Sequence, residues 1–175
     1  VDLIAAEDTR NSIKLLNHFD IKTPLTSYHE YNKVDKAYQL VEKMQQGTNI
    51  ALITDAGTPG ISDPGEDLVR ICYEQGIEVT SLPGAAACIT ALTLSGLPTR
   101  RFSFEAFLPK EKKERAAVLE ELKNDTRTLI VYEAPHHLLG TLKELQNALG
   151  DRRLTVCREL TKKFETAFQT TFSEA

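Results

Sequence analysis

Residues 50–65 read IALITDAGTPGISDPG and are the most informative stretch of this chain. The apolar start of this stretch, flanked by turn-forming residues, predicts a buried parallel strand over residues 49–54. The loop that follows is about ten residues long, whereas such connections usually have two to six. Because open α/β sheets bind ligands at the carboxyl ends of their strands, this loop is the first candidate for a binding site. The alternative is a strand-to-helix connection that binds nothing.

Outward from this loop, predicted strands alternate with predicted helices, which indicates an α/β fold with parallel pairing. Gly96-Leu97-Pro98-Thr99 interrupts the alternation and predicts two domains, residues 1–98 and 99–175. The last strand alternates apolar and polar residues and is predicted to be an antiparallel edge. The predicted strands are 1–6, 24–28, 49–54, 78–82, 102–107, 128–132, 154–158 and 166–172. The predicted helices are one capped by Thr9, with Ile13, Leu15, Leu16 and Phe19 as its apolar set, then 33–46, 66–74, 85–95, 111–123 and 136–149.

The composition is that of an ordinary globular protein, with 41% hydrophobic and 26% charged residues. No apolar run approaches the roughly 20 residues that cross a bilayer, so no membrane partner is expected. Cys72, Cys88 and Cys157 are predicted to be reduced core thiols, as in a cytoplasmic protein. The net charge of −4 argues against a nucleic-acid binder. Two basic stretches are either a local nucleic-acid patch or solvated helix faces and loops: Arg100, Arg101, Lys110, Lys112, Lys113 and Arg115, and Arg152, Arg153, Arg158, Lys162 and Lys163.

Carboxylates that follow predicted strands are candidates for acid–base chemistry, because the ends of parallel strands meet at one edge. Asp55 is the first candidate for a base or substrate-orienting group, and Glu7 is the second. Arg10 is a candidate partner for a phosphate or carboxylate. For Asp55 the alternative is an Asx-turn within its own loop. The four carboxylates are Glu7, Asp8, Asp55 and Glu133.

Other site classes are disfavoured by spacing. His136 and His137 are adjacent, so on a helix they diverge and do not share a metal as HExxH histidines do. No metal site is therefore predicted. No GxGxxG motif follows a strand, and no Gly-Lys-Ser/Thr closes the glycine loop, which disfavours NAD binding and nucleotide hydrolysis. Asp63 is predicted to cap the helix that starts at Pro64.

Residues 54–65, TDAGTPGISDPG, resemble the signature loop of the ribosomal RNA small subunit methyltransferase I family, a branch of the tetrapyrrole methylase superfamily. The likeness extends over essentially all 175 residues. Further matching segments follow the family's order: AEDTR at 6–10, LPGA at 82–85, GLP at 96–98, YEAPH at 132–136 and RELTK at 158–162.

The resemblance implies two α/β domains, the first with a mainly parallel sheet and the second with a mixed sheet, and S-adenosylmethionine bound in a cleft between them. It also implies 2′-O-methylation of a cytidine in 16S ribosomal RNA, with small-subunit RNA or the assembled 30S subunit as partner, by a cytoplasmic homodimer. A Pro83-Gly84 turn can also form without any ligand. The implied cofactor-binding residues are Gly57, Thr58, Pro59, Gly60, Ile61, Pro83, Gly84, Ala85, Ala86, Tyr132, Glu133 and Ala134.

Two rival functions stay open. One is methylation of a small molecule such as a tetrapyrrole precursor, which suits the acidic charge, although that branch has Gly-Asp-Pro where this chain has Gly57-Thr58-Pro59. The other is a non-catalytic module of the same fold.

The family also has an N-terminal strand with a Gly-Thr-Pro-Ile-Gly-Asn-type loop and a closing C-terminal part that this sequence does not contain. The resemblance therefore implies a fragment, which we expect to bind the cofactor weakly or not at all.

Overall fold

The computed structural model describes residues 1–175 and contains two compact units. Unit 1 is Val1–Ala86 and unit 2 is Ala87–Ala175. The domain boundary predicted from the sequence, between residues 98 and 99, lies inside unit 2. None of the helices combines the length and the apolarity needed to cross a membrane.

Unit 1 is built on a three-stranded parallel sheet in the order β2-β1-β3, as the alternating pattern predicts. The central strand pairs with both neighbours, so that Ile4 lies opposite Leu25 on one side and Ala51 on the other. All three strands therefore end at the same edge, which we call the carboxyl edge of unit 1. The elements are β1 (Leu3–Ala6), α1 (Thr9–His18), β2 (Leu25–Ser27), α2 (Lys33–Gln45), β3 (Ile50–Ile53) and α3 (Gly65–Glu74).

The core of unit 1 lies around Tyr28, Leu40 and Ile71, the largest fully buried side chains of the chain. Each contributes about 1.5–3 kcal/mol by leaving water. The Tyr28 hydroxyl donates a 2.8 Å hydrogen bond to the carbonyl of Pro64. Burial of the phenol raises the pKa of Tyr28 to about 12, so its hydroxyl stays a donor even at an alkaline pH where a free tyrosine ionises. This bond ties the end of the 54–65 loop to the core.

Helix α1 begins differently from the sequence prediction. Asp8, and not Thr9, is the N-cap, and its carboxylate accepts a 2.8 Å hydrogen bond from the Arg10 backbone N–H. Aspartate and threonine are both common N-caps, so the sequence alone does not separate adjacent candidates.

The apolar set predicted for α1 is also largely wrong. Leu16 is buried, and it shares the inward face with Ser12, four residues earlier. Residues four apart lie on one side of a helix, so Ser12 and Leu16 together form the whole buried face of α1. The exposed members are Ile13, Leu15 and Phe19.

The predicted strand at residues 78–82 is absent. Its alternating pattern is real, because Ile77 and Val79 are half-buried against the core of unit 1 while Glu78 and Thr80 are exposed. A strand additionally needs a hydrogen-bonded neighbour, and β3 pairs only with β1. The alternating apolar and polar residues of this segment therefore indicate that one side of the chain is buried, but not that the segment belongs to a sheet.

Unit 2 contains two strand pairs where one mixed sheet was predicted. Strands β4 and β5 are parallel, and β6 and β7 are antiparallel, so the antiparallel final strand is confirmed. No backbone hydrogen bonds pair β5 with β6. Residues of β5, α6 and β6 instead line a cavity of about 310 Å³. The elements are α4 (Ala87–Leu94), β4 (Phe102–Phe107), α5 (Lys112–Leu122), β5 (Thr128–Tyr132), α6 (Leu138–Leu149), β6 (Arg153–Arg158) and β7 (Thr166–Thr171).

Candidate functional site

Glu7 and Asp55 meet at the carboxyl edge of unit 1, because they follow the adjacent parallel strands β1 and β3. The Asp55 backbone N–H donates to Glu7 Oε2 at 3.2 Å. Asn11 Nδ2 donates to Asp55 Oδ2, also at 3.2 Å. The Asp55 carboxylate accepts nothing from its own loop, so the alternative of an Asx-turn is not formed. The carboxylate is exposed at the edge where a ligand would lie.

Asn11 was not among the predicted site residues. It lies in the first turn of α1, three residues after the N-cap Asp8. Its spacing from that cap was visible in the sequence, but its partner, Asp55, lies 44 residues away. Asn11 orients one carboxylate oxygen and leaves the other open.

Arg10 already holds a carboxylate, that of Asp8. Its Nη2 and Nε atoms lie 2.7 and 3.0 Å from the two Asp8 oxygens, a bidentate arrangement. The Arg10 hydrogen bonds lower the pKa of Asp8 to about 2. Since the guanidinium side chain is 88% exposed, it lies within reach of solvent and of an anion that competes with Asp8.

The signature loop is folded around the Asp63 carboxylate. This group accepts hydrogen bonds from the backbone N–H groups of Gly60 at 2.8 Å, Ile61 at 3.3 Å and Gly65 at 2.7 Å. The sequence predicted Asp63 as the N-cap, but Pro64 occupies that position and α3 begins at Gly65. Asp63 lies one residue before the N-cap and still accepts the hydrogen bond from the first helical N–H, that of Gly65. One carboxylate thus fixes both the middle of the loop and its junction with α3.

A second glycine loop, residues 83–86, lies directly against the first. The backbone N–H and the hydroxyl of Thr58 both donate to the Ala85 carbonyl, at 2.9 and 3.0 Å. A Cβ on Gly57 would lie 2.9 Å from the same oxygen, and one on Gly84 would lie 3.0 Å from Thr58 Oγ1. Only glycine permits this approach, and the positive φ of Gly57, 81°, adds to the requirement.

Open space adjoins the joined loops. Gly60 has a φ of 82°, and a Cβ built on it would meet no atom within 4 Å. Side-chain-free backbone facing open space can contact a ligand closely. The joined loops therefore fit a small cofactor held mainly by backbone groups.

In unit 2, residues 132–134 leave the carboxyl end of β5. The Tyr132 ring packs edge-on against Phe104 and Phe107, with ring centroids 5.0 and 5.6 Å apart. Burial raises the pKa of Tyr132, helped by the neighbouring Cys88. Tyr132 is therefore a fixed, neutral side chain at the carboxyl end of β5.

The Glu133 carboxylate is engaged by its own unit. It accepts hydrogen bonds from the Ala134 N–H at 2.7 Å and from the Thr141 hydroxyl at 2.5 Å. Burial alone would raise the pKa of Glu133, but these bonds and the nearby Arg115 guanidinium outweigh it and lower the pKa. Glu133 is ionised at neutral pH and braces the turn that follows β5.

Arg115 connects this turn to the loop after β4. Its guanidinium donates to Glu144 at 2.5 Å, to Thr141 at 2.7 Å and to the Pro109 carbonyl at 3.3 Å. The sequence placed Arg115 in a basic stretch, and no local signal reveals its partners. We call residues 107–113 and 132–137 the carboxyl edge of unit 2, since both segments complete or follow a strand there and Arg115 joins them.

The parallel sheet of unit 1 with two glycine loops joined at its carboxyl edge defines an α/β protein with a cofactor-type site. The family model for Tetrapyrrole (Corrin/Porphyrin) Methylases matches residues 1–175, and the chain belongs to this family.

The chain is also similar to proteins named Ribosomal RNA small subunit methyltransferase I. It is 54% identical over 176 residues to the protein of Synechocystis sp., covering 100% of this chain and 63% of the relative. It is 49% identical over 174 residues to that of Bacillus subtilis, covering 99% and 60%, and 52% identical over 167 residues to that of Escherichia coli O157:H7, covering 95% and 58%. The chain thus spans about three fifths of the length of these curated relatives.

Proposed function

We propose that this chain belongs to an S-adenosylmethionine-dependent enzyme that methylates the ribose 2′-hydroxyl of a cytidine in 16S ribosomal RNA. The observation that carries the proposal is the joint between the 57–61 and 83–86 loops beside the exposed Asp55 carboxylate. The relatives' name supports ribosomal RNA as the substrate.

The backbone of residues 57–61 and 83–86 would hold the cofactor, with Thr58 keeping the two loops in register. When bound, S-adenosylmethionine supplies an activated methyl group on a sulfonium. The chain's remaining task is to hold the ribose hydroxyl in line and to take its proton. Asp55 accepts this proton, because its carboxylate is exposed and has one oxygen without a partner. Glu7 and Asn11 position Asp55 through its backbone N–H and its other oxygen.

Cofactor contact at the first loop can be tested with paired glycine variants. Gly60 and Gly47 both have positive φ, 82° and 93°, and a Cβ on either meets nothing within 4 Å. Gly60→Ala and Gly47→Ala should therefore lower the stability of the fold by similar amounts. Only Gly60→Ala should weaken S-adenosylmethionine binding, by about tenfold or more, because the added methyl group prevents a close contact with the cofactor. Calorimetric titration of the full-length gene product measures both; equal affinities in the two variants would count against this site.

Activity can be tested by methyl incorporation into small ribosomal subunits from a strain without its own copy of the enzyme. Asp55→Asn should reduce the rate about 100-fold or more at unchanged cofactor affinity. Incorporation into a porphyrinoid and not into RNA would favour the small-molecule alternative. Cofactor binding without transfer to either substrate would favour a non-catalytic module.

We also propose a cytoplasmic homodimer, which suits a ribosomal substrate. Unit 1 leaves several large apolar side chains exposed, which a second copy could cover. Light scattering of the full-length product measures its mass, and a monomer at micromolar concentration would contradict this proposal. The exposed side chains include Ile13, Phe19, Tyr31, Val34 and Tyr38.

A further inference from the structure

The net charge of −4 is divided unevenly between the units. Unit 1 has 7 Lys and Arg against 13 Asp and Glu, a net charge of −6, whereas unit 2 has 14 against 12, a net charge of +2. Phosphates are bound through basic surface. Unit 2 is therefore the part of the chain suited to RNA.

The fold separates the basic residues of unit 2 into structural and free ones. Arg115 holds the network around Thr141, and Arg152 donates to the carbonyls of Lys123, Asp125 and Leu149 at 2.9–3.1 Å. These two arginines are occupied by the protein itself.

The free cations next to β4 lie at its two opposite ends. Arg100 and Arg101 precede Phe102, the first residue of the strand, whereas the three lysines follow its last residue, Phe107. Six residues of strand separate the groups by about 17 Å. The lysines at the carboxyl edge of unit 2 are Lys110, Lys112 and Lys113.

These three lysines do not stabilise the fold. All are exposed and none has an ion-pair partner. Lys112 and Lys113 lie in the first turn of α5, where positive charge opposes the helix dipole. Glu111 caps this helix by accepting a 2.8 Å hydrogen bond from the Glu114 N–H, so the lysines are not needed there.

An exposed aromatic ring accompanies the lysines. Phe107 is 56% exposed although its ring packs edge-on against Tyr132. The next residue, Leu108, is buried and anchors the segment. A fixed, accessible ring beside unpaired cations is the combination that binds single-stranded RNA, since bases stack on the ring while phosphates contact the cations.

We propose that Phe107, Lys110, Lys112 and Lys113 form an RNA-contacting surface at the carboxyl edge of unit 2. The ring stacks on an unpaired base and the lysines bind the flanking phosphates. This inference rests on the proposed RNA substrate and names the part of the chain that engages it.

The test is fluorescence anisotropy of the full chain with a labelled single-stranded RNA of about 12 nucleotides. Removal of the lysines in K110A/K112A/K113A should weaken binding at least about tenfold and lower the salt slope by about 2. Phe107→Ala should weaken binding about tenfold without changing that slope, because stacking is not ionic. Phe107→Tyr should restore the affinity.

The matched control, R100A/R101A/R153A, removes three exposed arginines that lie away from this surface. Arg100 and Arg101 directly precede β4, and Arg153 is the first residue of β6. This control should leave the affinity within about twofold. Equal weakening by the control, or no weakening by the lysine variant, would overturn the proposal. Binding of an acidic peptide or of phosphatidylserine vesicles with the same affinity as RNA would also overturn it, since the surface would then be a general anion binder.

The proposed function fails in a different way. If the full-length product transfers no methyl group to small subunits, the enzyme assignment is wrong whatever the lysines do. If it transfers methyl groups and the lysine variant keeps the wild-type KM for RNA, only the proposed surface is wrong. The thermal unfolding midpoint of K110A/K112A/K113A should be no lower than that of the wild type, since two of these lysines oppose the helix dipole, and this separates lost contacts from lost folding.

Discussion

Ala106 is held in an unfavourable backbone conformation inside β4, directly before the carboxyl edge of unit 2. Its φ is 51°, and it follows the bulge in β4 where the pairing with β5 shifts by one residue. A left-handed alanine costs about 1–2 kcal/mol. The bulge redirects the strand so that Leu108 enters the core and Phe107 stays exposed.

Ala106→Gly should therefore stabilise the chain. Glycine has no Cβ penalty at positive φ but is more flexible when unfolded, which leaves a net gain of roughly 0.5–1 kcal/mol. Ala116→Gly, at an exposed position inside α5, should instead lose about 1 kcal/mol. Urea unfolding of both variants measures the two changes, and a loss for Ala106→Gly would show that the alanine methyl makes contacts worth more than the strain.

At the level of elements, the connection between α5 and β5 depends on one ionised side chain. The Asp125 carboxylate accepts hydrogen bonds from the Arg127 backbone N–H and from its guanidinium at 2.6–3.1 Å. The Arg127 side-chain hydrogen bonds lower the pKa of Asp125 from 3.8 to about 2. The Asp125 backbone carbonyl also accepts a hydrogen bond from the guanidinium of Arg152, the residue before β6, so this turn also holds the start of β6.

The lowered pKa of Asp125 predicts a loss of stability in acid. A carboxyl group with a lower pKa in the folded state stabilises the fold above its unfolded pKa, and this contribution disappears as pH falls from about 4 towards 2. Asp125→Asn should therefore be less stable than wild type at neutral pH and converge with it in acid. Urea midpoints at about pH 7 and pH 3 test this. Arg127→Met should behave alike, and parallel pH profiles for wild type and both variants would contradict the assignment.

Sequence reasoning was most accurate for elements fixed by local pattern. The bounds of β4 and β5 agree with prediction to the residue, because each is a short run of apolar and β-branched residues between turn formers. Contacts between distant residues could not be predicted in the same way. Asn11 with Asp55 and Arg115 with Glu144 are 44 and 29 residues apart, and no spacing rule links them. The strand prediction for residues 78–82 was wrong because a strand requires a hydrogen-bonded neighbour, which the local pattern does not specify.

At the scale of the whole chain, the division of charge predicts which unit contacts the proposed RNA substrate. Unit 1 repels phosphate through its net charge of −6, while unit 2 carries +2. Ultraviolet crosslinking of labelled RNA to the intact chain, followed by mass spectrometry, should place most crosslinked peptides within residues 87–175. The yield should fall as salt rises from about 0.05 to 0.2 M. Crosslinks concentrated in residues 1–86 would show that total charge does not govern the contact.

The Thr58–Ala85 contact has a consequence for how the two loops can evolve. One carbonyl oxygen receives both Thr58 donors, so serine could replace threonine and keep both bonds. An ionised aspartate at that position has no side-chain proton to give and would place negative charge against the Ala85 oxygen. A chain with Gly-Asp-Pro in this place keeps the backbone bond but loses the hydroxyl bond, so its two loops are joined by one contact of this kind where this chain has two.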